Sequence, residues 1–392
     1  MKHSWSKTVL PIAALFSFRM LGLFFLIPVF TLYGQQLAGA TPTLLGLALG
    51  AYGLSQGLLQ IPFGFFSDRW GRKPLIALGL LLFAIGSLIG ALSHSVYGIL
   101  LARIIQGMGA VGSVLIALLA DLTLEKERTK AMAVIGMSIG LSFSLAMVLS
   151  PLLAHHFGLA GIFYLTTLLA LLGIALLYGV IPTPADSATS PPKTSKHLFK
   201  QVLSNTALWQ LNFGIFCQHA ILTSTFFVMP LILKAHKESG HIQQTWSFYL
   251  VLMVLAFMAM IPFIILSEKK SYGKKIFAFA ILGTALVQLS LAHWSTAWLS
   301  LCLFMLVYFT AFNILEALLP SLISKQAPAH CKGTAMGIYS TSQFLGIFFG
   351  GTLAGLLYNL WQHEGIFISN ALLSLIWFFW AIQAPTKPVE SL

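Results

Sequence analysis

Long apolar runs, most of about 20 residues or more and separated by short polar segments, dominate the sequence. A helix needs about 20 apolar residues to cross the hydrocarbon of a bilayer. Strands of a membrane barrel are about 10 residues long and alternate apolar with polar residues, whereas these runs are apolar on every face. The pattern therefore predicts an all-α membrane protein with twelve transmembrane helices. They lie near residues 8–33, 44–66, 74–93, 96–119, 131–154, 159–181, 207–233, 246–267, 275–293, 297–323, 334–360 and 365–384.

Charged residues are too scarce for a soluble domain. They make up 8% of the 392 residues, whereas a soluble domain carries about 25%. The formal net charge of +12 would favour nucleic-acid binding only if the basic residues clustered on one face. They are instead spread in small groups between the apolar runs, so we expect a lipid bilayer, and no nucleic acid, as a partner.

The 22 Lys and Arg residues are distributed unevenly over the connecting segments. With the N-terminus inside, 18 of them fall in inner segments and only Lys234 and Lys237 in outer ones. Cytoplasmic loops of membrane proteins carry the excess of Lys and Arg. We therefore expect both termini of this multi-pass membrane protein to be cytoplasmic.

A segment rich in Pro, Ser, Thr and Lys follows the sixth run, at residues 182–206. Its composition is that of a flexible linker. The Ile-Pro-Phe of residues 61–63, near the end of the second run, recurs at residues 261–263 in the eighth. Parallel six-helix repeats are typical of one large transporter architecture. We therefore expect two pseudo-symmetric six-helix bundles, residues 1–181 and 207–392, joined by a cytoplasmic linker.

The most distinctive polar stretch is residues 64–74, Gly-Phe-Phe-Ser-Asp-Arg-Trp-Gly-Arg-Lys-Pro, between the second and third runs. Its glycines permit a tight turn between packed helix ends, and Asp68 and Arg72 can form an ion pair there. A plain cytoplasmic loop would explain the basic residues but not the fixed spacing of Gly, Asp and Gly-Arg-Lys.

This stretch resembles the helix 2–3 signature of the major facilitator superfamily. Residues 103–109 resemble the helix 4 signature of that superfamily. Residues 136–151 resemble its antiporter signature in helix 5, where Gly136, Gly140 and Pro151 match and Ser150 replaces the usual glycine. Further similarity points to the YajR-like group of drug:proton antiporters, at residues 17–22, 60–74, 122–132 and 332–346.

The resemblance covers nearly the whole membrane region and implies a twelve-helix fold with roles for individual residues. The chain ends soon after the twelfth run, so we expect it to lack the small soluble C-terminal domain of the YajR-like group. In the superfamily, Asp68 would face the positive start of the eleventh helix, near Gly333 and Thr334, and latch the two halves closed. The implied latch residues are Gly64, Asp68, Arg69, Gly71, Arg72, Lys73 and Asp121.

Few ionisable residues lie within the spans. A charge at the bilayer centre costs about 3 kcal/mol or more, so each is a candidate for function. Arg19, Arg103 and Glu316 qualify, and His219 is a further candidate proton carrier. Glu316 is the first candidate for proton transfer, with a structural pair to Asn313 as the competing interpretation. Arg19 would neutralise such an acid or contact an anionic substrate group.

These features favour a secondary transporter and not an enzyme, and we expect neither an HExxH nor a GxSxG motif inside a span. The sequence has no GxxxxGK[ST] phosphate-binding loop and no room for a nucleotide-binding domain, so we expect an ion gradient to supply the energy. The resemblance implies proton-coupled efflux of a small amphipathic compound by alternating access, in a bacterial cytoplasmic (inner) membrane. A proton-coupled symporter and an exporter of a siderophore or other metabolite use the same scaffold. A non-transporting membrane sensor is the alternative from another class.

We expect no cofactor and no metal. The GxGxxG spacing of residues 107–112 follows no strand and lies in an apolar run, so it does not predict a dinucleotide site. The adjacent His155 and His156 point about 100° apart on a helix and do not form the chelate that an i, i+4 pair forms. The expected partners are a small-molecule substrate, protons and the bilayer, and we expect a monomer.

Overall fold

The computed structural model describes Trp5 and residues 7–183, 201–269, 272–328 and 331–383. Both ends of the chain and most of the predicted linker lie outside the described residues. The described chain is almost entirely α-helical and contains no β-strand. It forms two compact units, Met1–Lys193 (unit 1) and Thr194–Leu392 (unit 2).

Unit 1 contains seven helical elements within the part that the structure describes. They are α1 (Val9–Phe24), α2 (Phe30–Gly34), α3 (Pro42–Trp70), α4 (Arg72–Leu92), α5 (Val96–Met108), α6 (Gly112–Leu122) and α7 (Glu125–Gly179). α7 has 55 residues, and a straight helix of that length would measure about 80 Å, far more than the thickness of a bilayer. It turns instead at Gly158, whose φ of 64° and ψ of −169° suit a residue without a Cβ.

Unit 2 contains five helical elements in its described residues. They are α8 (Thr206–Glu238), α9 (Thr245–Ser267), α10 (Gly273–Trp294), α11 (Trp298–Gln326) and α12 (Lys332–Ile382). α12 has 51 residues and breaks at Trp361 and Gln362, which have non-helical backbone angles. α7 and α12 therefore supply two spans each. Pro62 lies inside α3 and Pro262 inside α9, at the positions of the Ile-Pro-Phe repeat.

The all-α fold with its series of membrane-length helices is confirmed, and the helix ends lie within a few residues of the predicted ones. Two spans predicted as continuous are interrupted, at residues 25–29 and at residues 109–111. The second break is closely packed, because a Cβ on Gly109 would lie 2.3 Å from the carbonyl oxygen of Gly79. The orientation of the termini stays a prediction.

The outer faces of several helices are apolar and exposed. α9 is the clearest case, with Val251, Val254, Met258 and Ile265 all more than half exposed. A helix that is hydrophobic all round belongs in a core or in a membrane. Nine helices of the described chain are long and apolar enough to cross a bilayer, if α5 and α6 are counted together as Val96–Leu122; two of the nine are the double-length α7 and α12. The exposed apolar surface is therefore a lipid-facing surface.

An apolar core lies beneath the 64–74 stretch in unit 1. It packs the beginnings of α1, α4 and α7 against the ends of α3, α6 and α7, with Ile12, Leu75, Leu118 and Leu177 fully or almost fully buried. This core fixes the ends of α3, α4 and α6 relative to one another. The polar side chains of residues 64–74 are therefore held in place by a packed apolar core.

Candidate functional site

The turn between α3 and α4 consists of a single residue, Gly71, because α3 ends at Trp70 and α4 begins at Arg72. The φ of Gly71 is 90°, in the region that favours glycine. This turn brings Arg72 back towards α3, where its guanidinium forms an ion pair with Asp68. Its Nη1 also donates to the Ser67 hydroxyl at 2.7 Å.

Arg72 also links α4 to α6. Its Nε donates to Oδ2 of Asp121 at 3.0 Å. One guanidinium therefore joins three helices through two carboxylates and a hydroxyl. The Ser67 hydroxyl in turn donates to the carbonyl of Gly64 at 2.7 Å, within the last turns of α3. We call Ser67, Asp68, Arg72 and Asp121 the Arg72 network.

Two basic residues of the predicted latch lie outside the Arg72 network. The exposed guanidinium of Arg69 lies 4.4 Å from the ring centroid of Phe65. Lys73 is almost completely buried, and its Nζ donates to the carbonyl of Ile181 at 2.5 Å, beyond the end of α7. Lys73 therefore anchors α7 to α4. The predicted role of Asp68 at the start of the eleventh span stays a prediction.

A second polar cluster, which we call the arginine cluster, lies in the interior of unit 1. Arg19 of α1 is 2% exposed, and its Nη2 donates to Gln56 Oε1 at 2.6 Å and to the Tyr52 hydroxyl at 3.0 Å. The same nitrogen lies 3.3 Å from the carbonyl oxygen of Gly109, at the break between α5 and α6. The break therefore exposes a backbone acceptor that stabilises a buried cation.

Arg103 of α5 belongs to the same cluster and is also 2% exposed. Its guanidinium lies 4.7 Å from the ring centroid of Tyr52, and its Nη1 donates to Gln106 Oε1 at 2.9 Å. Tyr52 therefore contacts both arginines. Sequence reasoning selected the two arginines but missed Tyr52, Gln56 and Gln106, although polar residues inside apolar runs are a visible signal.

Ser55 lies on α3 near the arginine cluster, in a GxSxG sequence at residues 53–57. The expectation that no span contains this motif is therefore wrong. The hydroxyl of Ser55 donates to the carbonyl of Ala51 at 3.1 Å, within the helix. The Ser nucleophile of the GxSxG pattern sits on a sharp turn between a strand and a helix. This serine has a structural helix-bonding role instead.

In unit 2, the structure places both predicted proton carriers on helices. The ring of His219, on α8, lies 2.8 Å from the side-chain nitrogen of Gln343, on α12. Glu316, on α11, has its Oε2 enclosed without a hydrogen-bond partner in the described part of the chain. The Nδ2 of Asn313 is also enclosed and unpaired, so Asn313 does not donate to the carboxylate.

A fully bonded polar group lies elsewhere in unit 2. Asn370 of α12 accepts from the Ser224 hydroxyl at 2.6 Å and donates to Gln288 Oε1 at 3.1 Å. Gln288 of α10 donates to the Thr225 hydroxyl at 3.0 Å. These groups satisfy one another and tie α8, α10 and α12 together. They are therefore structural in unit 2.

The antiporter-type residues lie on the first half of α7. A Cβ on Gly136 or Gly140 would meet no atom within 4 Å. Pro151 is buried inside the helix, and the hydroxyl of Ser150 donates to the carbonyl of Phe25, at the break between α1 and α2. The serine that departs from the usual glycine therefore stabilises a carbonyl in that break.

A cavity of about 430 Å³ lies beside the C-terminal part of α8. Three histidines line it, His236, His241 and His363. The ring of His236 is hydrogen-bonded to the carbonyl of Ser295 at 3.1 Å, and His241 to the Ser239 hydroxyl at 2.7 Å. No group of three His, Cys, Asp or Glu residues with metal-binding geometry occurs in the described ranges.

The sequence profile of the Major Facilitator Superfamily matches residues 12–351. The chain belongs to this superfamily. It is 45% identical over 382 residues to the inner membrane transport protein YajR of Escherichia coli (strain K12), covering 97% of this chain and 84% of YajR. It is 27% identical to multidrug resistance protein 2 of Bacillus subtilis (strain 168), covering 88% of this chain and 86% of that protein.

Structural similarity agrees with membership of the Major Facilitator Superfamily. The crystal structure of a D-xylose–proton symporter matches with a TM-score of 0.75 and 18% identity, over 96% of each chain. At that identity the match shows the fold alone. The superfamily and its transporter relatives identify the chain as a transporter, not an enzyme, and as a multi-pass protein of the inner membrane.

Proposed function

We propose that the chain exports a small amphipathic compound in exchange for protons, by alternating access between two six-helix halves. The observation that carries this proposal is the carboxyl of Glu316 on α11, whose Oε2 is enclosed and unpaired. The other acidic residues of the described chain lie at or near helix ends. Glu316 is therefore the one candidate acid within a membrane span of the described residues.

A carboxyl in this position couples proton binding to conformation. The neutral acid is tolerated in an apolar interior, whereas the carboxylate needs water or a cation. Loss of the proton therefore favours a conformation that hydrates Glu316, and binding of the proton favours one that encloses it. The hydrogen-bonded His219 and Gln343 supply a second polar group in unit 2.

The Arg72 network has a separate role in this proposal. It ties α3, α4 and α6 into one block, on the side that the distribution of Lys and Arg predicts to be cytoplasmic. We propose that this block latches the transporter in one conformation, and that residues 182–206 form the flexible cytoplasmic linker between a 1–181 bundle and a 207–392 bundle. We further propose that a monomer is sufficient for transport.

The name of one relative supports the direction of transport. That relative is a multidrug resistance protein, which favours export. A proton symporter would use the same buried acid. The direction of solute movement distinguishes the two functions: solute moves against the proton flow in an antiporter and with it in a symporter.

The test is flux in proteoliposomes with an imposed pH gradient, using a panel of cationic, neutral and anionic amphipathic dyes. We expect dye movement opposite to proton movement. Glu316→Gln should abolish gradient-driven flux while retaining dye–dye exchange, because the amide cannot release a proton. The exposed Glu364, on the second half of α12, supplies the matched control Glu364→Gln. Undiminished proton coupling in Glu316→Gln would contradict the proposal.

A further inference from the structure

We propose that the arginine cluster of unit 1 binds an anionic group of the transported compound, a carboxylate, sulfonate or phosphate. This inference rests on the proposed function, because it names the chemical class of the compound that the transporter moves. It rests on Arg19, Arg103 and Tyr52, which lie on three different helices of unit 1.

The first step is the missing counter-charge. Arg19 and Arg103 are both 2% exposed, and neither forms an ion pair with a described acidic residue. The acids of unit 1 in the described ranges lie at helix ends, with Asp68 and Asp121 paired to Arg72. Buried charges in proteins are normally paired or bound to a ligand. Two buried cations without an acid therefore indicate a binding site for an anion.

The second step is the unused donors. Arg19 makes its hydrogen bonds through Nη2, and its Nε and Nη1 are buried with no partner in the described chain. A guanidinium has five N–H donors and no acceptor. An anionic oxygen is the acceptor that suits such donors, because charge-assisted hydrogen bonds are about twice as strong as neutral ones.

The third step is preorganisation. The hydrogen-bond acceptors of the two arginines among the described residues are neutral: the Tyr52 hydroxyl, the Gln56 and Gln106 side-chain oxygens and the Gly109 carbonyl. Gln56 donates to Gln60 at 3.0 Å and Gln106 to the Ser87 hydroxyl at 2.8 Å, so the acceptors are held in place. These neutral neighbours therefore orient the guanidinium groups without neutralising their positive charge. An anionic ligand could then neutralise that charge.

The experiment uses the purified full-length protein and three probes with the same ring: 2-naphthoate, neutral 2-naphthamide and cationic 2-naphthylmethylammonium. Titration calorimetry measures the dissociation constant of each. We expect the anion to bind at least tenfold more tightly than the amide, which corresponds to about 1.4 kcal/mol. In Arg19→Gln and in Arg103→Gln we expect this preference to fall below about threefold, with amide binding unchanged.

Arg128 supplies the matched control, because it is an exposed arginine of the same unit and donates to the Ala120 carbonyl at 3.1 Å. Arg128→Gln should keep the preference for the anion. Arg19→Lys and Arg103→Lys keep the charge and test the site if a glutamine variant fails to fold, since a single ammonium should retain part of the preference. Equal binding of anion and amide by the wild type, or a preference unchanged in the Arg19 and Arg103 variants, overturns the inference.

Two further measurements, competition and flux, distinguish a substrate anion from phosphate or lipid, and distinguish failure of the anion site from failure of the proposed function. Inorganic phosphate and vesicles of anionic lipid are tested for binding at the same site. If either binds there and 2-naphthoate binds no more tightly than 2-naphthamide, the site belongs to those ions or lipids and a substrate role is overturned. Gradient-driven flux without anion preference leaves the proposed function standing and removes the anion site. Anion preference without gradient-driven flux of any dye leaves the site standing and removes proton coupling.

Discussion

The Nε of Arg72 and the Oδ2 of Asp121 are joined by a hydrogen bond of 3.0 Å across 49 residues of sequence, between the start of α4 and the end of α6. The side chains are 15% and 31% exposed. Exposed and half-exposed ion pairs contribute about 0–1 kcal/mol to stability. The pair therefore contributes little to the folding of unit 1, so an effect of its removal on transport can be measured separately from an effect on stability.

Asp121→Asn should lower transport much more than stability. The amide keeps the size of the carboxyl but removes the charge that holds Arg72, so we expect flux to fall about tenfold. The melting temperature in detergent should shift by no more than about 4 °C, since about 1 kcal/mol corresponds to 2–4 °C in a large domain. Arg72→Gln and the double variant should show a similar loss of flux. Flux that falls only in proportion to folded protein would contradict a role in transport.

The Asp68–Arg72 pair could be predicted from the sequence, whereas Asp121 was expected beside it only from the resemblance to the superfamily, and Ser67 was not expected. The 64–74 stretch sits between two apolar runs, and a turn of one residue leaves little freedom for Asp68 and Arg72. The bilayer sets the length of an apolar run, so the pattern locates the polar segments between the runs. The predicted spans and the observed helices differ by only a few residues for the same reason.

The environment of Lys73 could not be predicted in this way. Its neighbours in sequence, Arg69 and Arg72, belong to the half-exposed surface, yet Lys73 is 8% exposed beneath the end of α7. The rotation of α4 about its own axis decides which basic residue points inward, and a run that is apolar on all faces does not encode that rotation. The close approach of Gly109 to Gly79 is similar, because it depends on how α4 and α5 pack.

Lys73→Met should destabilise the protein by about 1–3 kcal/mol, the cost of leaving a buried backbone acceptor without its donor. The acceptor is the carbonyl of Ile181, just beyond the end of α7, where a positive charge is also favourable. Thermal or denaturant unfolding of the purified protein measures the effect. Lys275→Met is the control, because Lys275 is exposed and lies 6.0 Å from the Tyr272 ring centroid. Equal effects of the two substitutions would exclude the proposed anchor.

Gly86→Ala should destabilise unit 1 although it adds a single methyl group. A Cβ at this position of α4 would lie 2.6 Å from the backbone nitrogen of Gln106 and 2.8 Å from the carbonyl oxygen of Ala102, and these backbone atoms cannot move independently of α5. Overpacking of this kind typically costs about 1–3 kcal/mol. The unfolding midpoint of the purified variant gives the comparison with wild type.

Gly136→Ala is the counterpart on α7 and should fold at least as well as wild type. No atom lies within 4 Å of its added Cβ, and alanine favours a helix over glycine by about 1 kcal/mol. A loss of transport without a loss of stability would therefore assign Gly136 to the mechanism. An unfolding midpoint lowered as much as in Gly86→Ala would instead contradict the open space at this position.

Asn370→Ala should loosen unit 2, because the amide of Asn370 connects three helices. It accepts from Ser224 on α8 and donates to Gln288 on α10, at 2.6 and 3.1 Å. Hydrogen bonds between membrane helices contribute on average about 0.6 kcal/mol each, so the loss should be about 1–2 kcal/mol. Unfolding in detergent measures this loss of stability. Hydrogen exchange of α10 and α12 should increase together in Asn370→Ala, since both helices lose the same bonded partner; an increase in α12 alone would show that the amide does not connect them.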